Sequence, residues 1–182
     1  MVSAVKPFSE LKVVELAGSI AGAYCAKLFA DNGAQVVTLG ESQLKQSQSL
    51  YLNRGKLTGV AEETDRIRNA DVVIRSAPYS SLQQPFFLPG PETILVEISP
   101  YGSSGPYSDW LGTSATVYAH SGHTYLTGDP EREPLMGPPT HPPYAAGLFA
   151  FIGAMGALFD RERNGQIHSV EVTHLEVLVA LH

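Results

Sequence analysis

Three things are scarce in this chain, and each scarcity closes off a class of answer. There is one cysteine, Cys25, so no disulfide framework can hold the fold, and a reducing, cytoplasmic setting is the expectation. A lone thiol inside an apolar helical stretch reads as a small core residue. Charge is also thin: charged residues make up 16% of the 182 positions, the net charge is −6, and no run of Lys or Arg occurs. Nucleic acid is therefore not an expected partner, and an anionic ligand must be held by local N–H groups and single cations. Finally, the longest apolar stretch is interrupted by glycine and flanked by proline and charge, so no membrane span is expected. The hydrophobic fraction of 43% is ordinary. It suits a single domain with a well-buried sheet, or a chain whose surface a partner covers.

The most patterned stretch runs from Leu11 to Glu41, LKVVELAGSIAGAYCAKLFADNGAQVVTLGE. Leu11 to Ala17 is too short for a helix and reads as a buried parallel strand. Gly18 to Gly22 reads as a small-residue turn, followed by a helix with Tyr24, Leu28 and Phe29 on one face. Asn32-Gly33 ends that helix, and Gln35 to Leu39 is a second strand. Strand, glycine turn, helix and strand make a βαβ unit whose first turn could present free N–H groups to an anion. The turn is Gly18-x-x-x-Gly22, without the middle glycine of dinucleotide folds, although Glu41 lies where an acid could meet a ribose. A turn that needs small residues only for packing, a dinucleotide site and a site for another nucleotide-bearing ligand all remain open on these residues.

Further along, Gln43 to Leu52 is polar, a loop or a short helix. Asn53-Arg54-Gly55-Lys56 follows, then a weak strand from Leu57 to Ala61, a charged helix from Glu62 to Asn69, and strands at Asp71–Ile74 and Glu92–Ile98. Arg75 to Pro91 is turn-rich, with Phe86, Phe87 and Leu88 as its anchor. Thr113 to His120 has helical character, on which His120 and His123 could share a face. Leu126 to Pro143 is proline-rich and irregular. Pro142-Pro143 can open a helix, in which Tyr144, Leu148, Phe151, Ile152, Met155, Leu158 and Phe159 recur at helical spacing. Arg161 and Arg163 complement its end and Asn164-Gly165 stops it. Ser169 to Val172 reads as a strand, and Thr173-His174-Leu175-Glu176 as a capping box opening one more helix. That last helix is almost wholly apolar and stops at His182, so the architecture is expected to continue or to be covered by a partner. His168, His174 and His182 read as surface or boundary residues.

Several of these pieces, in order, resemble the family III CoA-transferases and the 2-methylacyl-CoA racemases that share their fold. They are LKVVELAGSIAGAY, LFADNGAQVV, NRGK at Asn53–Lys56, DVVI at Asp71, ISPYGSSGPY at Ile98–Tyr107, HSG ending at Gly122, TGDP at Thr127, and AAGLFAFIGAMGALFDRERNGQ leading into VEVTHLE. Members are typically about twice this length, so residues 1–182 resemble an N-terminal part, apparently truncated. The resemblance implies an α/β fold, an open and mostly parallel, Rossmann-like sheet with flanking helices, incomplete at its C-terminus.

It also implies coenzyme A or an acyl-CoA as substrate, with no permanently bound cofactor and no metal. Ile20, Ala21 and Gly22 would border the pantetheine or pyrophosphate, Arg54 and Lys56 would face CoA phosphates, and Tyr101 would lie beside the adenine or pantetheine arm. Ser76, after Arg75, stands where relatives often carry Asn. In the transferases an aspartate four residues before a glycine attacks the acyl-CoA to form a mixed anhydride; the glycine here is Gly147, so Pro143 occupies the aspartate's place. The racemases pair that aspartate with a histidine, whose position corresponds to about Thr113. The expectation is a CoA-handling domain without its own catalytic carboxylate, working as a homo-oligomer or with a second CoA-transferase-like chain or domain. The alternatives are an active transferase or racemase using His141, Asp129, Glu131 or Glu133, and a non-enzymatic interaction domain.

Overall fold

Short runs of β-branched residues become strands because their stiff side chains fit a pleated, covered surface. The computed structural model describes residues 6–16, 18–40, 44–59, 64–76 and 89–181; Glu41, Phe86, Phe87, Leu88 and His182 lie outside them. Among the described residues six strands form one sheet: β1 (Lys12–Leu16), β2 (Gln35–Leu39), β3 (Leu57–Gly59), β4 (Val72–Ser76), β5 (Ile94–Ser99) and β6 (Val170–Thr173). Their order is β3-β2-β1-β4-β5-β6. Every pairing is parallel, with Val14 opposite Val37 on one side and Val73 on the other, and Ile98 opposite Val172. This is the doubly wound order, in which the chain leaves β1 in one direction for β2 and returns to the other side as β4.

Among the described residues the helices are α1 (Ile20–Asp31), α2 (Gln46–Leu52), α3 (Thr64–Arg68), α4 (Ser114–Ser121), α5 (His123–Leu126), α6 (His141–Asn164) and α7 (His174–Ala180). One face of the sheet, with Val13, Val72, Ile74 and Val96, is covered by α1 and α6 through Ala21, Cys25, Ala26, Phe29, Ala146, Ala150 and Ala154. The other face carries Val14, Val37, Leu39 and Val73 against Ile67 of α3. Cys25 is fully buried in the first of these layers, and burial pushes its thiol far above the ordinary range.

Helix α6 buries a different face from the one its large residues suggest. Ala146, Ala150, Ala154 and Ala157 point inward, whereas Ile152 and Phe159 are 57% and 62% exposed and Leu148 is exposed as well. The cause is the crossing with α1. A Cβ at Gly147 would lie 2.5 Å from the Ala21 carbonyl oxygen and 3.2 Å from the Tyr24 Cβ. At the crossing point itself, backbones that touch this closely leave room only for small side chains. By length and composition α6 could cross a membrane, yet its alanine stripe is spent on α1 and the sheet.

Two other expectations change. Helix α1 begins at Ile20, not after Gly22, because Ser19 is its cap: the Ser19 Oγ accepts the Ala21 N–H at 3.1 Å. His120 and His123 do not share a helical face, since Gly122 at φ 85° ends α4 and opens α5. Arg161 lies in the last turn of α6 as expected, and its guanidinium also donates to the Glu92 carbonyl and to Asp71, both at 2.9 Å, tying α6 to the start of β4.

Gly147→Ala should lower stability by about 1–3 kcal/mol, the usual cost of overpacking. Gly156→Ala, where an added Cβ meets nothing within 4 Å, should be neutral or stabilise by up to about 1 kcal/mol through helix propensity. Urea unfolding of the two variants beside wild type checks both signs.

Candidate functional site

In a doubly wound sheet a ligand is expected at the carboxyl ends of the strands where the chain reverses direction, here between β1 and β4. The turn there is drawn tight. A Cβ on Gly18 would sit 2.2 Å from the Ser76 carbonyl oxygen, and one on Gly22 would sit 2.8 Å from the Ser76 Cβ. The Ser19 and Ser76 hydroxyls hydrogen-bond to each other across the gap. Both glycines are therefore required by packing against β4, and Ser76 closes the cleft instead of lining an open one.

What the turn leaves over is backbone. Ser19 takes the Ala21 N–H, and the Ala23 N–H returns to the Ser19 carbonyl at 3.1 Å. The Ile20 and Gly22 N–H groups take no backbone or side-chain acceptor among the described residues. Two donors at the start of a twelve-residue helix, with its positive dipole end behind them, can receive an anion. Gly22 is buried like Ala21, whose carbonyl faces Gly147, so Ile20 is the more accessible of the two donors.

The NRGK turn separates its two cations. Arg54 is exposed at the end of α2. Lys56 turns inward: its Nζ donates to Glu15 Oε2 at 2.7 Å and to the Ala23 carbonyl at 2.8 Å, and its side chain is 1% exposed. Glu15 also accepts from the Thr38 hydroxyl at 2.9 Å. Burial pulls the Lys56 ammonium below its ordinary value while the Glu15 carboxylate opposes that pull. Arg54 and Lys56 were both expected to face a phosphate. Lys56 is engaged beneath α1, and Arg54 alone points outward. The signal was present in KVVEL, where one acid interrupts an apolar strand and needs a buried partner.

Tyr101 lies at the end of β5 and is 8% exposed. Its hydroxyl bonds His120 Nδ1 at 3.0 Å, and its ring meets Tyr107 and Trp110 at centroid distances of 5.9 and 6.4 Å. Tyr107 stacks on His120 at 5.1 Å. The loop that carries these rings is fastened by Glu171 of β6, which accepts from the Ser103 N–H at 2.5 Å and the Ser103 hydroxyl at 3.0 Å.

At the mouth of α6, Pro143 is buried. This helix start has almost nothing to offer an anion. The His141 N–H goes to the Pro138 carbonyl at 3.0 Å, Pro142 and Pro143 have no N–H, and the Tyr144 N–H goes to Thr140 at 3.1 Å. Tyr144 packs edge-on against Tyr24 of α1 at 4.9 Å, so the mouths of the two helices are neighbours. Asp129, Glu131 and Glu133 are exposed, and the Asp129 carboxylate accepts the Glu131 N–H at 3.0 Å. Thr113 caps α4 through the Thr116 N–H. Among the described residues no three His, Cys, Asp or Glu side chains converge as a metal would require. Sequence reasoning missed Tyr118, which is buried under this region with its hydroxyl 3.0 Å from His141 Nδ1.

The model of CoA-transferase family III matches residues 45–182. The chain belongs to that family. It is 27% identical to a succinyl-CoA–D-citramalate CoA-transferase of Chloroflexus aurantiacus, over 97% of this chain and 51% of that protein. With mouse alpha-methylacyl-CoA racemase it shares 29% identity, over 91% and 47%. Its backbone superposes on a CAIB/BAIF family protein of Brucella suis with a TM-score of 0.86 at 25% identity, covering 96% of this chain and 55% of that one. This member of the family spans about half the length of the curated relatives it matches.

Removing one partner of the Glu15–Lys56 pair, as in Glu15→Gln, should cost about 3–5 kcal/mol, because the other charge stays buried. Replacing both, Glu15→Leu with Lys56→Met, should recover most of that loss in a urea double-mutant cycle. A second expectation concerns His174, the first residue of α7, whose imidazole burial pulls down to about 4. Its unfolded value is near 6.5, so the folded state prefers it neutral. The stability it contributes is complete above about pH 6.5 and is lost as pH falls toward 4. Thermal melts should show His174→Phe losing less stability than wild type across that window, by an amount on the order of a few kcal/mol.

Proposed function

We propose that this domain takes coenzyme A or an acyl-CoA thioester as substrate across the first βα turn, without the carboxylate that carries the acyl group in the transferases. Pro143 carries the second half of the reading. It stands four residues before Gly147 at the mouth of α6, where the family resemblance requires an aspartate, and a prolyl ring has no nucleophile and no titratable group. Family membership and the unengaged Ile20 and Gly22 amides support the first half. On this reading those amides receive the pyrophosphate, Arg54 meets a CoA phosphate, and Tyr101 with its neighbouring rings flanks the adenine or pantetheine arm. No permanently bound cofactor is needed. A second CoA-transferase-like chain or domain, identical or not, then supplies the acyl-transfer carboxylate; the exposed Leu148, Ile152 and Phe159 face of α6 is consistent with such an assembly.

Isothermal titration of the chain with CoA tests the binding half. Saturable binding is expected, and Arg54→Ala should weaken it about tenfold, the loss of one charge-assisted contact. No heat with millimolar CoA, or identical binding by wild type and Arg54→Ala, would contradict the assigned site.

A further inference from the structure

Beside Pro143 the fold builds an acid–base group that the transferase chemistry does not use. Tyr118 is buried on α4, and its hydroxyl lies 3.1 Å from the Pro138 carbonyl oxygen and 3.0 Å from His141 Nδ1. One arrangement satisfies both contacts: the phenol proton goes to Pro138, and the phenol oxygen accepts the N–H of Nδ1. The His141 ring is thereby held as the Nδ1–H tautomer, and its Nε2 lone pair has no partner among the described residues. The His123 ring stands edge-on to it at 6.3 Å and to Tyr118 at 5.8 Å, bounding the other side. His141 itself is exposed, on the outer side of the turn whose inner side holds Pro143. A histidine oriented through one nitrogen and open at the other is the arrangement a general base requires.

We propose that His141 is a general base, oriented by Tyr118, that lets this domain hydrolyse an acyl-CoA thioester with water as the acceptor. The proposal rests on the CoA-thioester reading above and names what the site does with that substrate. Hydrolysis needs one base, whereas the mixed-anhydride route needs a carboxylate nucleophile and racemisation needs a second proton-transfer group. In the first step His141 Nε2 takes a proton from water as the water oxygen bonds to the thioester carbonyl carbon. The tetrahedral intermediate then collapses with cleavage of the C–S bond. The departing CoA sulfur takes the proton back from Nε2, leaving the carboxylic acid, free CoA thiol and a neutral imidazole. No oxidant, reductant or co-substrate other than water enters. Tyr118 touches no reacting atom; it is a positioning residue.

The test follows thiol release from acetyl-CoA and succinyl-CoA by the whole chain, with calorimetry of CoA binding and thermal melts on the same samples. Wild type should release thiol above the buffer rate. His141→Gln, at an exposed position, should lower kcat at least about a hundredfold while CoA affinity and melting stay within error. Tyr118→Phe should lower kcat about tenfold with KM unchanged, because Nδ1 loses the acceptor that fixes the tautomer. CoA binding without thiol release, His141→Gln at the wild-type rate, or a Tyr118→Phe loss confined to KM would overturn the proposal while the CoA-binding reading stands. Absence of CoA binding in wild type would overturn that reading and this proposal with it.

Discussion

The contact on which the rest of the molecule depends is the backbone-to-backbone approach of α1 and α6 at Gly147. With the Ala21 carbonyl 2.5 Å from where a Cβ would stand, the crossing point itself takes no side chain, and the larger pairs, Tyr24 with Tyr144 and Phe29 with Phe151, pack before and after it along α6. Around that crossing the sheet is covered mainly by alanine, with Cys25 and Phe29, while Leu148, Ile152 and Phe159 of α6 are left on its outer side. The same contact sets the geometry on which the proposed function rests. It brings the mouth of α6, with His141 and Pro143, beside the first βα turn, with Ile20 and Gly22, at the carboxyl edge of the sheet.

The two helix mouths have opposite electrostatic character. Helix α1 begins with a serine cap that satisfies one amide and leaves two donors open. Helix α6 begins with two prolines, and the amides on either side of them are bonded to Pro138 and Thr140. On the proposed reading anion recognition belongs to one mouth, and the other contributes only side-chain chemistry. Cations are apportioned in the same way. Lys56 is consumed by Glu15 beneath α1, which steadies the turn from below, and Arg54 remains outside. A low global charge makes this division matter, because no long-range field compensates for a misplaced cation.

Much of the fold was legible because the strands are short apolar runs bounded by glycine, asparagine and proline, and those signals are local. The positions of β1, β2, β4, β5 and α6 all follow from them, and the parallel order follows from alternation with helices. The buried face of α6 did not follow: periodicity locates a stripe, but which stripe goes inward was decided by a long-range backbone contact at Gly147. His120 and His123 were separated by a single left-handed glycine, Gly122, which spacing alone treats as helical. Lys56 was drawn inward by Glu15, 41 residues away in sequence. In the site, Pro143 was legible because it is a position relative to Gly147. The Tyr118–His141 contact joins α4 to α6 across an irregular segment, and no spacing rule encodes it.

The central claim is that no carboxylate of this chain carries an acyl group. The direct measurement is intact and peptide-level mass spectrometry of the protein after incubation with succinyl-CoA and hydroxylamine, which converts an acyl-carboxylate anhydride into a stable hydroxamate on the residue that formed it. The account predicts no hydroxamate on any Asp or Glu. A single modified Asp or Glu, appearing only with the acyl-CoA present, would contradict it.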